Sequence, residues 1–179
     1  CTPVLLYDPV RQAIGAAHAG WRGTAAGIAA LTLQAMRDAY GTRAQDCWAY
    51  IGTCIGEDDY EVDADVADQF PAEHRRWEET RGKYLLDLKG ANRQQLLTLG
   101  VPAGQIEHSP FSTASTLDRY FSHRAEKGVT GRMLGAIGLV LVAGIILFGL
   151  YLLNNTLINM EQRGITTGFG FLSNEAGFG

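Results

Sequence analysis

Histidine and cysteine are scarce in this 179-residue sequence, which contains four of the first and three of the second. The histidines are scattered and none forms a His-x-His pair, so the chain cannot supply the closely spaced imidazoles of a multicopper site. The cysteines Cys1, Cys47 and Cys54 are odd in number and lack Cys-x-x-Cys spacing, which argues against a zinc ribbon or a redox pair. No signal peptide opens the sequence, so we expect a reducing, cytoplasmic compartment.

Positively charged residues are also outnumbered by negatively charged ones. The chain has 15 Lys and Arg against 19 Asp and Glu and shows no basic stripe, so nucleic acid is excluded as the expected partner. Charge is missing altogether from Met133 to Met160, and the run MLGAIGLVLVAGIILFGLYLL is long enough to cross a bilayer. The composition therefore predicts a soluble domain over residues 1–131 and a different kind of segment from about position 132 onward.

Strand-like and helix-like segments alternate along the first part. Short apolar runs bounded by turn signals predict strands at PVLLY, QAIGAAHAG, CWAYIGTCIG, KYLLDL, QIEHSPFS and RMLGAIGLV. Helical spacing predicts a helix over residues 25–40 ended by Gly41, a short acidic helix at EVDADVADQF and a helix at KGANRQQLLTLG. The mixed charge run HRRWEE is expected to be a solvated helix end. The predicted fold class is α/β or α+β, a layered mixed sheet with flanking helices followed by one hydrophobic C-terminal helix.

The start of the chain places one cysteine and one histidine where a hairpin can bring them together. Cys1 precedes the first strand, Asp8-Pro9 signals a turn, and His18 lies near the end of the returning strand. A thiolate and an imidazole are preferred zinc ligands, and a Cys-His pair can also form a catalytic nucleophile. A buried cysteine beside a structural histidine is the third alternative, and the spacing alone leaves all three open.

The loop HAGWRG adds features that suit an anion. Gly20 and Gly23 allow backbone amides to approach a ligand closely, and a predicted helix follows directly. Arg22 supplies a forked cation suited to phosphate or carboxylate. We therefore predict an anion site here, and the alternative is a tight strand-to-helix turn with Arg22 in solvent.

These residues carry a resemblance to a known family. CTPVLLYD and GAAHAGWRGTAAGI resemble the core of the laccase-domain, polyphenol-oxidase-like family. Its members are regarded as zinc-containing purine nucleoside phosphorylases with adenosine deaminase activity, and some are called peptidoglycan editing factors. The similarity continues through YIGTCIGEDDYEV, KYLLDLKGANRQQLLTLGV, STASTLDRYFSHR and GRMLGAIGL. It extends over residues 1–139, and HAGWRG is a specific signature.

The resemblance implies a site and a reaction. The family's metal is held by two histidines and a cysteine, which makes Cys1 and His18 the implied zinc ligands and catalytic residues, with the first histidine upstream. Zinc is expected rather than copper. The implied reaction is phosphorolysis of adenosine, inosine, guanosine or methylthioadenosine by phosphate, with deamination of adenosine as a second activity. From their chemistry, Arg22 and Gly20 in the loop, together with Arg124, are the candidate phosphate-binding and substrate-binding residues.

The sequence also departs from the family pattern in two places. Relatives often have Cys-Thr where this chain has Ser112 and Thr113. A second arginine often follows the position of Arg124, where this chain has Ala125. The first difference precedes the candidate phosphate-binding Arg124 by 12 residues and the second follows it directly.

The segment after residue 139 resembles another kind of protein. NNTLINMEQRGITTGFGFLSNEAGF is similar to the N-terminal region of amino-acid ABC transporter permeases, which follows a first membrane helix. We therefore predict a membrane-spanning segment over residues 134–153 that tethers a cytoplasmic enzyme domain to the inner membrane. The alternatives are that RMLGAIGLV closes the enzyme domain as a strand, or that an apolar helix packs on it. Besides the enzyme, the sequence allows a permease fragment or an inactive binding domain.

Overall fold

The computed structural model describes the backbone of residues 2–162 and the side chains of residues 2–138 and 145–160. It divides after Ile137 into two compact units. The strands are β1 Thr2–Asp8, β2 Ala13–Ala19, β3 Trp48–Ile51, β4 Glu61–Val62, β5 Arg75–Glu78, β6 Lys83–Leu86 and β7 Ile106–His108. The helices are α1 Trp21–Ala25, α2 Ile28–Tyr40, α3 Ala64–Ala67, α4 Leu88–Thr98 and α5 Leu139–Gln162. The predicted mixture of sheets and flanking helices is confirmed.

A four-stranded sheet in the order β2-β1-β3-β7 organises the first unit. Strands β1 and β2 form the predicted antiparallel hairpin, with Thr2 opposite Ala19 and Asp8 opposite Ala13. The Asp8 carboxylate accepts hydrogen bonds from the backbone amides of Val10 and Arg11, 2.9 and 3.0 Å long, which stabilises the turn. Strand β7 adds in parallel to β3. The sheet is therefore mixed, as the sequence predicts.

One face of this sheet carries the main hydrophobic core. Alternate residues of β1, among them Val4 and Leu6, are fully buried, in a cluster with Leu33 of α2 and Leu96 of α4. The opposite face is open and aromatic, with Tyr7, Ile14, Trp48 and Tyr50 between 42% and 48% exposed. His18 belongs to this open face because it alternates in register with Ile14 along β2.

A second, three-stranded sheet in the order β4-β6-β5 corrects one prediction. HRRWEE is not a solvated helix end, since Arg75–Glu78 forms β5 and pairs with β6. The Trp77 ring meets the Tyr84 ring edge-on across the two strands, with 5.0 Å between centroids. Arg76 donates to Asp58 at 2.7 Å, outside the strand pair. These partners are distant in sequence, so the local charge pattern could not indicate the strand.

The helix predicted over residues 25–40 is two helices. Residue Gly27 adopts a left-handed conformation with φ of 75°, which ends the short α1 and starts α2 at Ile28. The predicted stop is confirmed, because Gly41 also has a left-handed φ of 69° and its amide donates to the carbonyl of Arg37. The loop after β2 therefore leads into a single helical turn.

The stretch after residue 130 corrects one further prediction and leaves another without support. Residues 131–138 contain no regular element, so the predicted strand at RMLGAIGLV is wrong up to Gly138, and α5 begins at Leu139. The apolar run then ends at Leu153 and two asparagines follow, which leaves less than the roughly 17 to 25 apolar residues that a membrane span needs. Among the residues that the structure describes, no helix could cross a membrane. The membrane-spanning segment predicted over residues 134–153 is thus unsupported, and residues 163–179 lie outside the described part.

Candidate active site at one edge of the four-stranded sheet

The ends of four strands meet at one edge of the sheet, which we call the loop edge. Strand β1 starts there at Thr2, opposite Ala19 near the end of β2. Strand β3 ends at Ile51, which pairs with Val4 and with His108, the last residue of β7. The segments that follow β2, β3 and β7 therefore leave the sheet on the same side. This arrangement brings HAGWRG, the Cys54 segment and the Ser112 segment to one part of the molecule.

His18 is the one predicted metal ligand whose position can be described. It lies opposite Pro3 in the hairpin, one residue before β2 ends, and its side chain is exposed on the open face. The other predicted ligand, Cys1, falls outside the described residues. Within the described residues there is no group of three or more His, Cys, Asp or Glu side chains that could hold a metal ion. The donor types fit zinc, but the described part of the chain supplies His18 alone.

The loop predicted to bind an anion is ordered by its own backbone. Gly20 precedes α1, and its carbonyl accepts a 2.8 Å hydrogen bond from the amide of Thr24. The Arg22 side chain is exposed, with its guanidinium carbon 4.3 Å from the centroid of the Trp21 ring. Because α1 has only five residues, its N-terminus adds little to an anion site. The exposed charge of Arg22 is therefore the feature of the loop on which the predicted anion site mainly depends.

A buried polar contact that the sequence analysis missed fixes this loop to α4. The fully buried Thr24 hydroxyl donates to the carbonyl of Ala19 at 3.3 Å and accepts a 3.0 Å hydrogen bond from the amide nitrogen of Asn92. Gln95 donates to the backbone carbonyl of Thr24 at 2.7 Å. The available signal was a polar Asn92 between the buried Ala91 and Leu96, at a position that helical spacing assigns to the core.

We predict that Asn92→Ala lowers the free energy of unfolding by about 2–3 kcal/mol, because two buried hydrogen bonds are lost and a cavity forms. The second of these bonds runs from the Asn92 amide to the carbonyl of Leu88, 2.7 Å away. Urea unfolding followed by circular dichroism measures the change. Gln94→Ala on the exposed side of the same helix is the control and should stay within about 0.5 kcal/mol. Equal effects of the two substitutions would contradict the role of this contact.

Tyr60 brings the two predicted phosphate-binding arginines into one electrostatic environment. Partial burial raises the pKa of Tyr60, and the positive charges of Arg124 and Arg22 partly oppose that rise. The guanidinium carbon of Arg124 lies 5.4 Å from the centroid of the Tyr60 ring, and its Nη1 donates to the carbonyl of Glu61 at 3.0 Å. Two cations far apart in sequence thus act on the same phenol. The sequence analysis named both arginines but did not select Tyr60 as a site residue.

The Cys54 thiol, in the segment after β3, is buried. The backbones of Cys54 and Ser112 pair in an isolated parallel β-bridge. The Cys54 thiol lies 3.2 Å from the carbonyl of Ile55. Burial raises the pKa of the Cys54 thiol, which disfavours the thiolate form that would ligate a metal. Ser112, where relatives often have cysteine, accepts from the Gly56 amide at 2.9 Å and donates to Asp59 at 2.5 Å. Ser112 therefore orders the segment after β3.

Burial of Cys47 makes stability sensitive to alkaline pH. Desolvation, assisted by the charges of Asp8 and Asp46, raises the pKa of its thiol to about 11. An unfolded thiol ionises near pH 8.5–9, so the unfolded chain loses this proton first. We predict that this contribution to stability is complete below about pH 8 and is lost from about pH 9 to about pH 11. Urea unfolding across that range measures it. A fall that is equally steep in Cys47→Ala would contradict this origin.

Comparisons with known proteins agree with this architecture. The chain belongs to the family described as multi-copper polyphenol oxidoreductase laccase, whose model matches residues 1–140. It is 42% identical over 144 residues to the purine nucleoside phosphorylase YlmD of Geobacillus stearothermophilus, covering 77% of this chain and 53% of that protein. A purine nucleoside phosphorylase of Bacteroides thetaiotaomicron is also 42% identical over 144 residues, covering 76% of this chain and 53% of that protein.

A solved structure supports the same conclusion. The crystal structure of the Bacillus licheniformis hypothetical protein YfiH matches with a TM-score of 0.69 and 42% identity, covering 74% of this chain and 52% of that one. The chain therefore spans about half the length of the relatives that it matches. The predicted resemblance to the laccase-domain family is confirmed. The resemblance of residues 140–179 to amino-acid permeases finds no support in these comparisons.

Proposed function

We propose that this chain is the part of a purine nucleoside phosphorylase that carries the loop edge. The observation that supports this most strongly is the position of His18 near the end of β2 and of Arg22 in the loop that follows it, in a family whose relatives bear that name. In the proposed reaction, an oxygen of phosphate attacks C1′ of the nucleoside. The bond from C1′ to the base breaks, the base leaves with its bonding electrons and takes up a proton, and a sugar 1-phosphate remains.

Phosphate binding is assigned to two guanidinium groups. Arg22 is exposed beside Trp21, and Arg124 is oriented by the Glu61 carbonyl and the Tyr60 ring. Each guanidinium can give charge-assisted, forked hydrogen bonds to phosphate oxygens. Gly20 lies in the same loop as Arg22, where it allows backbone amides to approach phosphate closely. Two positive charges next to phosphate lower the free-energy cost of bringing an anionic nucleophile close to the sugar.

Cys1 and His18 are proposed as two of three zinc ligands. The third is the upstream histidine that the family resemblance implies, because the described residues do not complete a site. Four scattered histidines suit zinc better than a multicopper centre. When bound, zinc supplies Lewis-acid polarisation. His18 would provide its imidazole from the exposed face of β2, one residue before the strand ends.

The proposed substrates are adenosine, inosine, guanosine and methylthioadenosine, with phosphate as the second substrate. Deamination of adenosine at the same edge is proposed as an additional activity, in which water replaces the exocyclic amine and ammonia leaves. The relatives' names support phosphorolysis, whereas deamination is proposed from the family resemblance alone. Each activity has a distinct product.

The test uses two proteins, the 179-residue chain and the same chain joined after the upstream part of the Geobacillus relative. Each is incubated with zinc and one nucleoside, with and without phosphate, and free base and ammonia are quantified by chromatography and an ammonia assay. We expect phosphate-dependent release of base by the joined protein, and ammonia only from adenosine. Phosphate-independent release would indicate hydrolysis. No release by a folded, zinc-loaded joined protein would reject phosphorolysis and leave an inactive binding domain.

A further inference from the structure

One tyrosine hydroxyl beside a candidate phosphate-binding arginine has no hydrogen-bond partner within the described part of the chain. Tyr60 directly precedes β4 and is half-buried. Its backbone is fixed, because its amide donates to the carbonyl of Gly56 and its carbonyl accepts from the amide of Leu86, both at 3.0 Å. Its hydroxyl, in contrast, is accessible to solvent. A tyrosine hydroxyl in a half-buried position usually has a hydrogen-bond partner, and here a ligand can supply one.

Two arginine–aromatic pairs lie on the same hydrophobic cluster around this hydroxyl. Tyr60 and Trp21 both pack against the cluster that includes Val62. The guanidinium carbon of Arg124 lies 5.4 Å from the centroid of the Tyr60 ring, and that of Arg22 lies 4.3 Å from the centroid of the Trp21 ring. The cluster thus connects the two arginines, which are distant in sequence, through the aromatic rings that they contact.

The electrostatic surroundings of the phenol agree with this placement. Burial raises the pKa of Tyr60, and the positive charges of Arg124 and Arg22 partly oppose that rise. Neither arginine has a carboxylate within ion-pair distance among the described residues, since Arg124 donates to the backbone carbonyl of Glu61 and the Glu61 carboxylate pairs with Arg81 at 3.2 Å. An anion bound by these two cations therefore has the Tyr60 hydroxyl as a neighbouring neutral donor.

We propose that Tyr60 is a third phosphate-binding residue, whose hydroxyl donates a hydrogen bond to the phosphate that Arg22 and Arg124 bind. This assignment rests on the proposed function and adds a residue to its phosphate site. A hydrogen bond from a hydroxyl to a charged oxygen is short and about twice as strong as one between neutral groups. Because burial raises the pKa of Tyr60, the phenol keeps its proton at neutral pH and can act as the donor.

Tyr60→Phe separates the hydroxyl from the ring, because phenylalanine keeps the packing and the contact with Arg124. We expect it to raise Kd for inorganic phosphate about tenfold or more, since a hydrogen bond to a charged group is lost. Folding should be preserved, because the hydroxyl has no partner within the described residues. Calorimetric titration of the 179-residue chain and of the joined protein with phosphate measures Kd, and circular dichroism checks folding.

Tyr84→Phe is the matched control. Tyr84 packs against the same hydrophobic cluster, and the guanidinium carbon of Arg75 lies 5.8 Å from the centroid of its ring. Removal of its hydroxyl should leave Kd for phosphate unchanged. In the joined protein, Tyr60→Phe should raise KM for phosphate and leave KM for inosine unchanged, whereas Tyr84→Phe should change neither.

The outcomes separate this proposal from the proposed function. Phosphate binding that Tyr60→Phe weakens, in a joined protein that releases no base, would reject phosphorolysis and keep the donor role of Tyr60. An unchanged Kd in Tyr60→Phe, or an equal rise in Tyr84→Phe, would overturn the proposal even if base is released. Absence of phosphate binding by both proteins at millimolar phosphate would overturn it as well.

Discussion

Replacing His18 with alanine should reduce phosphate-dependent base release by about 100-fold or more in the protein joined to the upstream part of its relative. Loss of groups that only orient a metal ligand already costs about 10- to 100-fold, and His18 is itself the proposed ligand. The free energy of unfolding should change by no more than about 0.5 kcal/mol, because the side chain is exposed on the open face of β2. Initial rates and urea unfolding measure the two effects.

Ile14→Ala is the matched control for this prediction. Ile14 occupies the same strand and the same open face and is 45% exposed, but it lies at the far end from the loop edge. Its activity should remain close to that of the unaltered protein. Zinc content, measured by atomic emission, should fall in His18→Ala and not in Ile14→Ala. Full activity of His18→Ala would reject the proposed role of this histidine.

The second large effect is expected at Arg22. Arg22→Gln should raise KM for phosphate by about 10- to 100-fold while leaving KM for inosine nearly unchanged, because a charged hydrogen bond contributes about 1.5–3 kcal/mol. The side chain is exposed and contacts Trp21, so folding should be preserved. Steady-state kinetics with phosphate varied at saturating inosine measure the change.

Arg37→Gln provides the charge-matched control, because it removes one exposed arginine from α2. It should leave both KM values unchanged. If Arg22→Gln and Arg37→Gln behave alike, the effect belongs to net charge and the loop has no specific role. Arg124→Gln should show the same selective rise in KM for phosphate as Arg22→Gln, since both cations act on the environment of Tyr60.

The first hairpin could be predicted from the sequence because its information is local. An apolar run, the Asp8-Pro9 turn and a returning run of small residues determine the pairing of β1 with β2. The helix stop at Gly41 is local in the same sense. By contrast, β5 depends on Trp77 meeting Tyr84 and on Arg76 reaching Asp58, which are tertiary contacts. Local charge therefore indicated the wrong structure there.

The candidate site likewise has a part that the local sequence predicts and a part that depends on tertiary contacts. His18, Gly20 and Arg22 lie in one short motif, so their chemistry is visible in the sequence. The placement of Arg124 depends on contacts that are distant in sequence, with the Glu61 carbonyl and the Tyr60 ring. The contact of Thr24 with Asn92 joins two helices and has no local signature beyond a polar residue at a core position. Composition alone does not locate the start of α5 at Leu139, so the membrane span predicted over residues 134–153 extends into residues that lie before the helix.

The most direct test of the central claim is the identity of the sugar product. The joined protein is incubated with zinc, inosine and phosphate, and ³¹P NMR follows the phosphorus signals while chromatography follows hypoxanthine. The account predicts one ribose 1-phosphate for each hypoxanthine released, with both products lost in His18→Ala. Release of hypoxanthine with free ribose and unchanged phosphate would contradict phosphorolysis at the loop edge.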